Sequence, residues 1–336
     1  MMHRSNYSFH SVAAIVLTLV VSATGFGAFQ DQPKPQTKAP DAEMKAAAAI
    51  NTATDAAAKL TQAEAFVKKY PKSTLRPEVA QLMTNEIGKV TDAGQRLTLA
   101  ERFLKTFSGE GESDRIRTLV VDEYVGAKRV DDAFTLGATV LAKQPEHLGV
   151  LTTLTMAGTE EVRKQNPKYS TQAFQYGLKA IELIEANKKP ANMDDAYWAH
   201  QQSLLSRMYL DLGTISLVDN KPAEAKPRLE KAIQLNPKEP TAYVFLGGLI
   251  DDEYRSVAEA HQKMTDGPEK QATLKKATEL MDKVIDLYAR ALGAASDKPE
   301  FKAMYDQVLE SITPYYRYRY KSTTGLQALI DKYKTP

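Results

Sequence analysis

The 336-residue sequence predicts an all-α fold, an α-α superhelix built from antiparallel helix pairs, on three observations. From Asp41 onward the chain is rich in Ala, Leu, Lys and Glu, with none of the sustained alternating Val, Ile and Thr runs that build strands. Breaks containing Pro, Gly, Asn or Asp interrupt this run at helix-length intervals. An internal repeat has a period of 37 residues: AEAFVKKYPKS begins at Ala63, AERFLKTFSGE at Ala100 and GATVLAKQPEH at Gly137.

Taken in chain order, the first element is not part of the array. MMHRSNYSFHS carries Arg4 and precedes the apolar run VAAIVLTLVVSATGFGAF, which reads as a secretory signal peptide over residues 1–28. The 18 residues from Val12 to Phe29 also just suffice to span a bilayer, so an uncleaved N-terminal anchor is the alternative. In both cases the rest of the chain lies outside the cytoplasm, either periplasmic or secreted, and held at the inner membrane if the segment stays. Membrane contact is expected only through that segment. A linker follows over 29–41, where QDQPKPQTKAP lacks apolar periodicity and has the Pro and Lys content of an extended tether.

The helical repeat domain is expected over 42–313. Helix ends fall at YPKST (70–74), FSGEGES (107–113), KQPEH (143–147), QNPKYS (165–170), NKKPANMD (187–194), VDNKP (218–222), LNPKEP (235–240), TDGPE (265–269) and ASDKPE (295–300). Pro lacks the backbone donor a helix needs, Gly frees the backbone, and Ser, Asp and Asn cap the next helix. The one stretch with strand-like composition, RTLVVDEYV, reads as helix because a lone strand between helices has nothing to pair with. At the start of the segment from 194 to 217, Asp194 reads as a cap and Trp198 as packing between repeats.

From Ser206 to Glu239 the pattern becomes specific. Tyr209, Leu212 and Gly213 lie in a first helix, and Ala225, Leu229, Ala232 and Pro237 lie in and after a second. Tyr243, Leu246 and Gly247 then repeat the opening residues 34 positions later. Gly213 and Ala225 are small where two backbones approach, and Leu212, Leu229 and Tyr209 fill the space around them. This segment resembles the tetratricopeptide repeat family, a 34-residue pair of antiparallel helices; the resemblance is specific over about 206–250 and looser over about 63–293, and the protein looks like an exported bacterial member with degenerate repeats. It departs from the family pattern at Ser216, where many members carry an aromatic residue, and at Pro227, inside the second helix.

The resemblance implies an array whose first helices line an inner surface that takes an extended or helical peptide. On the family pattern the inward residues are Arg207, Leu210, Thr214, Leu217 and Val218 in the first unit, and Thr241, Val244, Gly248, Asp251 and Asp252 in the next. The Lys and Asn with which some members grip a terminal carboxylate are replaced here by Leu210 and Thr214, so that mode is not expected.

Composition removes other classes. The net charge of +2, from 44 basic and 42 acidic residues, is too small for counterion-driven nucleic-acid binding. With no Cys, disulfides, thiol nucleophiles and thiolate zinc sites are excluded. Phosphate loops, HExxH, GxSxG and Gly-rich dinucleotide turns are missing, so no catalytic residue, cofactor or metal is expected. Asp251, Asp252 and Glu253 with His261 have the wrong helical spacing for ligands and read as a solvated face. The segment PYYRYRYKS reads as a terminal cap over 314–336: Pro314 starts its helix, the tyrosines cover the last repeat and the basic ends reach solvent. The function expected is a non-catalytic, protein-binding adaptor or assembly scaffold of the cell envelope. The alternatives are a structural oligomer without a peptide groove and a glycan-processing enzyme on a helical toroid.

Overall fold

A computed structural model describes residues 40–109, 111–189 and 193–334; the expected export segment and the linker up to Ala39 lie outside them. Among the described residues there is no strand. The helices are α1 (Asp41–Asn51), α2 (Ala56–Lys69), α3 (Arg76–Gly88), α4 (Ala93–Thr106), α5 (Asp114–Gly126), α6 (Val130–Lys143), α7 (Leu148–Arg163), α8 (Ser170–Glu185), α9 (Asp195–Ser203), α10 (Leu205–Val218), α11 (Pro222–Leu235), α12 (Pro240–Lys263), α13 (Pro268–Ala295), α14 (Lys302–Tyr320) and α15 (Leu326–Asp331). Short 3-10 turns at Pro167–Tyr169 and Pro299–Phe301 lead into α8 and α14.

Successive helices pack on each other from α1 to α8 and again from α9 to α14, and contacts also reach past the immediate neighbour: α2 with α4, α3 with α5, α5 with α7, α7 and α8 with α10, and α13 with α15. That pattern defines a solenoid, in which each pair touches only its neighbours. The core follows the same rule. One buried cluster runs from Ile50 to Val120 and a second from Val121 to Ile215; Tyr124 and Leu136 touch both. Tyr209 joins the second to a third around Leu210 and Leu229, and Ile233 and Leu287 join that one to a C-terminal cluster around Val284 and Ile312.

The 37-residue period has a physical basis. Ala63 and Ala100 are fully buried in α2 and α4, and in α6 a Cβ on Gly137 would stand 2.6 Å from Leu154 Cδ1. Lys59 bonds Glu86 at 2.6 Å and, 37 residues on in both partners, Arg96 bonds Glu123 at 2.5 Å. The turns after α5, α7 and α10 share one motif, with Lys128, Gln165 and Asn220 in the left-handed region. In each the next N–H donates back to a carbonyl five residues earlier: Arg129 to Tyr124, Asn166 to Glu161 and Lys221 to Ser216, at 2.8–2.9 Å.

Two features differ from the sequence reading. The segment from 194 to 217 is two helices, α9 and α10, hinged at Leu204, because α9 leans on α7: Gln201 Oε1 lies 3.2 Å from the Thr152 hydroxyl. A Cβ on Gly149 would stand 2.3 Å from the Tyr197 hydroxyl, so a larger residue there would push the Tyr197 side chain of α9 aside. Pro314 does not start a helix but lies inside α14. Pro314 and Glu310, whose carbonyl loses its donor, are both exposed, while Ile312 and Tyr316 anchor the turn in the core. Pro227 is tolerated in α11 the same way, with Ala223 and Pro227 both exposed. Trp198 is buried in the central cluster, and Asp194 accepts a hydrogen bond from the Tyr197 N–H.

Candidate protein-binding face

The first helices of the pairs form one layer, with α3, α5, α7 and α10 in successive contact. Helical spacing places Thr153, Met156 and Glu160 on one side of α7, Arg207, Asp211, Thr214 and Val218 on one side of α10, and Thr241, Val244, Gly248, Asp252 and Arg255 on one side of α12. Aspartates bridge this layer. Thr153 Oγ1 donates to Asp122 Oδ1 at 2.7 Å, tying α7 to α5. Arg163 Nη2 and Arg207 Nε both donate to Asp211 Oδ1, at 3.3 and 2.9 Å, tying α7 to α10. The Tyr315 hydroxyl donates to Asp251 Oδ1 and Arg255 Nη2 to its Oδ2, linking α14 to α12.

The seven residues expected to face a partner separate into two groups. Leu210 is only 2% exposed and packs with Ala225, Leu229, Ala232, Ala242 and Leu246; it belongs to the core between α10, α11 and α12. Thr214 is buried with its hydroxyl on the Leu210 carbonyl at 2.9 Å, and Leu217 is half-buried against the same cluster. Asp251 is buried and committed to Tyr315 and Arg255. Of the rest, Val218 is 53% exposed, Asp252 is exposed and Arg207 half-buried on Asp211. For Leu210 and Leu217 the cause is that α11 and α12 close over the flank of α10 that spacing alone leaves open, whereas Asp251 is covered from α14 through Tyr315. Gly248 adds room, since a Cβ there would meet nothing within 4 Å. Asp252 also lines an open crevice of about 330 Å³ between α11 and α12, where Glu253 lies between Lys226 and Lys276, at 3.8 and 3.3 Å.

Asp211 was absent from the sequence reading and is the most constrained polar group on this face. Its side chain is fully buried and Oδ2 has no hydrogen-bond partner among the described residues. Burial pushes its carboxyl up to about 6, with Arg207 and Arg163 pulling the other way. Burial likewise pushes Asp122 up to about 6, against the Thr153 hydroxyl; Asp122 is accessible to water yet walled in by neighbouring protein. A carboxyl whose folded pKa exceeds its unfolded value contributes stability below the unfolded value, near 3.8, and loses it as pH rises through about 6. His147, held below its usual range by burial, acts in the opposite sense as pH falls. The Asp211 contribution is isolated by comparison with Asp211→Asn in urea unfolding. Wild type is expected to gain on the variant as pH drops from 7.5 to 4.5; a loss over that window would show that the two arginines dominate burial.

Among the described residues no group of three or more His, Asp and Glu is placed to hold a metal ion, and no helix is long and apolar enough to cross a membrane.

The packing defines an all-α solenoid of antiparallel helix pairs, tetratricopeptide-like in architecture. No protein-family model matches the chain, and no curated protein matches it. Among solved structures the chain is similar to a thermophilic TPR protein of Thermus thermophilus, with 18% identity and a TM-score of 0.37 over 70% of this chain and 99% of that one. It is similar to Pseudomonas aeruginosa PilF, with 15% identity and a TM-score of 0.36 over 76% and 97% of the two chains. A tetratricopeptide repeat protein of Parabacteroides merdae aligns with 12% identity and a TM-score of 0.36 over 80% and 98%.

Proposed function

We propose that the protein is a non-catalytic scaffold of the cell envelope that holds an extended segment of a partner protein along the layer of first helices. The observation that carries this reading is the surface of α7, α10 and α12: Met156, Val218, Val244 and the open Gly248 offer apolar contact beside Glu160, Arg207 and Asp252. Apolar anchors set among hydrogen-bonding groups suit an extended peptide. The bridges through Asp122, Asp211 and Asp251 hold the layer in one arrangement, which lowers the ordering cost of binding. The export segment expected over residues 1–28 supports the envelope location.

The test is photo-crosslinking in the native envelope, with the reactive residue placed at Val218 on the inner face or at Leu178 in α8, a second helix. A discrete adduct to another protein is expected from Val218 and not from Leu178. Adducts from both positions alike, or from neither, would overturn the reading. An adduct with a second copy of the chain would favour the structural oligomer.

A further inference from the structure

The C-terminal end of the same face has a different chemistry. Tyr254 of α12 meets Tyr315 of α14 edge-on, with ring centroids 5.6 Å apart. Beyond them Tyr318 is 66% exposed, far more than large aromatic side chains usually are, while Tyr320, 51% exposed, leans on Tyr316 with ring centroids 4.6 Å apart. Neither hydroxyl has a hydrogen-bond partner among the described residues. Of the cations in the last turn and cap of α14, Arg319 is neutralised by Asp282 at 2.6 Å. Arg317 makes no ion pair among the described residues, and Lys321 lies only over the Tyr318 ring, 4.7 Å from its centroid. Arg255 is claimed by Asp251. Arg317 and Lys321, one helical turn apart, therefore leave two positive charges uncompensated among the described residues, with Tyr318 beside Lys321.

We propose that this patch recognises side-chain carboxylates of an acidic, extended partner segment, and thereby fixes the polarity with which that segment lies along the inner face. Free guanidinium and ammonium donors with phenolic hydroxyls match carboxylate oxygens, and Tyr and Arg are the residues that most often dominate binding energy at interfaces. A lipid surface fits less well, because the exposed turn offers no aliphatic side chain to enter hydrocarbon. Nucleic acid fits less well because two free cations release too few counterions for binding at physiological salt. The proposal rests on the inner-face reading and adds the chemistry of the partner.

The experiment measures fluorescence anisotropy of the full chain with a labelled 12-residue peptide of alternating Glu and Ala, against the same peptide with Gln for Glu. At about 0.15 M salt the acidic peptide is expected to bind roughly tenfold tighter or more. Arg317→Ala with Lys321→Ala, or Tyr318→Ala alone, should remove most of that difference; these side chains lie on the surface, and circular dichroism should be unchanged. Lys68→Ala with Lys72→Ala is the control, equal in charge and far along the chain, and should keep the affinity within about twofold. Equal loss in the control, or no preference for Glu over Gln, overturns the proposal. So does Arg317-dependent binding to phosphatidylserine vesicles or to a 20-mer of thymidylate that exceeds binding to the acidic peptide. If the preference is absent while the Val218 crosslink persists, the inner-face reading stands and only this proposal falls; loss of the crosslink removes the reading itself.

Discussion

Replacing Leu210 by aspartate is expected to unfold the junction of α10, α11 and α12, at a cost above about 4 kcal/mol. The carboxylate would enter a cluster made of Ala225, Leu229, Ala232, Ala242 and Leu246, with no cation among its members. Protonation would relieve only part of that penalty, because the hydroxyl would still lack a partner. Val218→Asp, eight residues along the same helix, should change stability by less than about 0.5 kcal/mol, since that side chain already meets solvent. The pair separates packing from recognition: the first substitution should shift the urea midpoint and erase amide protection in α10–α12, while the second should leave both intact and weaken partner capture. Wild-type stability in Leu210→Asp would place that side chain at the surface.

Gly158→Val is expected to be the most damaging of the small-to-large changes in the central repeats, costing about 3 kcal/mol or more. Even a methyl at this position in α7 would stand 2.4 Å from the Ala173 Cβ of α8 and 3.1 Å from the Phe134 ring of α6. Ala173 has no side-chain torsion with which to retreat, and Phe134 is stacked on Tyr169 with centroids 3.9 Å apart. The helices must therefore separate, opening space in a core that includes Leu154, Ala180 and Leu212. Gly88→Ala provides the contrast, because nothing lies within 4 Å of a Cβ there and the substitution should be neutral or slightly stabilising. Thermal unfolding by circular dichroism checks both, and a Gly158 variant melting with wild type would contradict the close approach of α7 and α8.

The pair architecture was legible because its signals are local. Apolar spacing, Ala and Gly at close approaches, and Pro or Gly in the longer loops are each readable within one helix and its ends. The turns from α1 to α2, α3 to α4 and α5 to α6 carry weaker signals, single Asn, Asp or Gly residues such as Gly88 and Gly126 without the Pro that marks most of the longer loops; the last is closed by Lys128 in a left-handed conformation that sequence does not announce. Pro314 was misplaced for a related reason. Proline ends a helix by default, but packing of Ile312 and Tyr316 carries α14 through it.

The candidate site was legible only in part. Helical periodicity assigned Leu210, Thr214 and Val218 to one side of α10, yet whether a side is covered depends on how closely the next pair packs. That is a property of α12, not of α10. The pairing of Asp211 with Arg207, one turn away, is legible in the sequence, but its burial against α7 and its second partner Arg163, 48 residues away, are not. The signal that could have found it is a lone carboxylate in an otherwise apolar and small-residue stretch, MYLDLGTISL.

The central claim, that partners lie along the layer of first helices, is tested most directly by hydrogen–deuterium exchange of the full chain, alone and with the protein captured through Val218. The account predicts new protection confined to exposed turns of α7, α10, α12 and α14, with α6, α8 and α11 unchanged. Protection that falls on α6, α8 and α11 instead, or no change in α10 and α12, would contradict it.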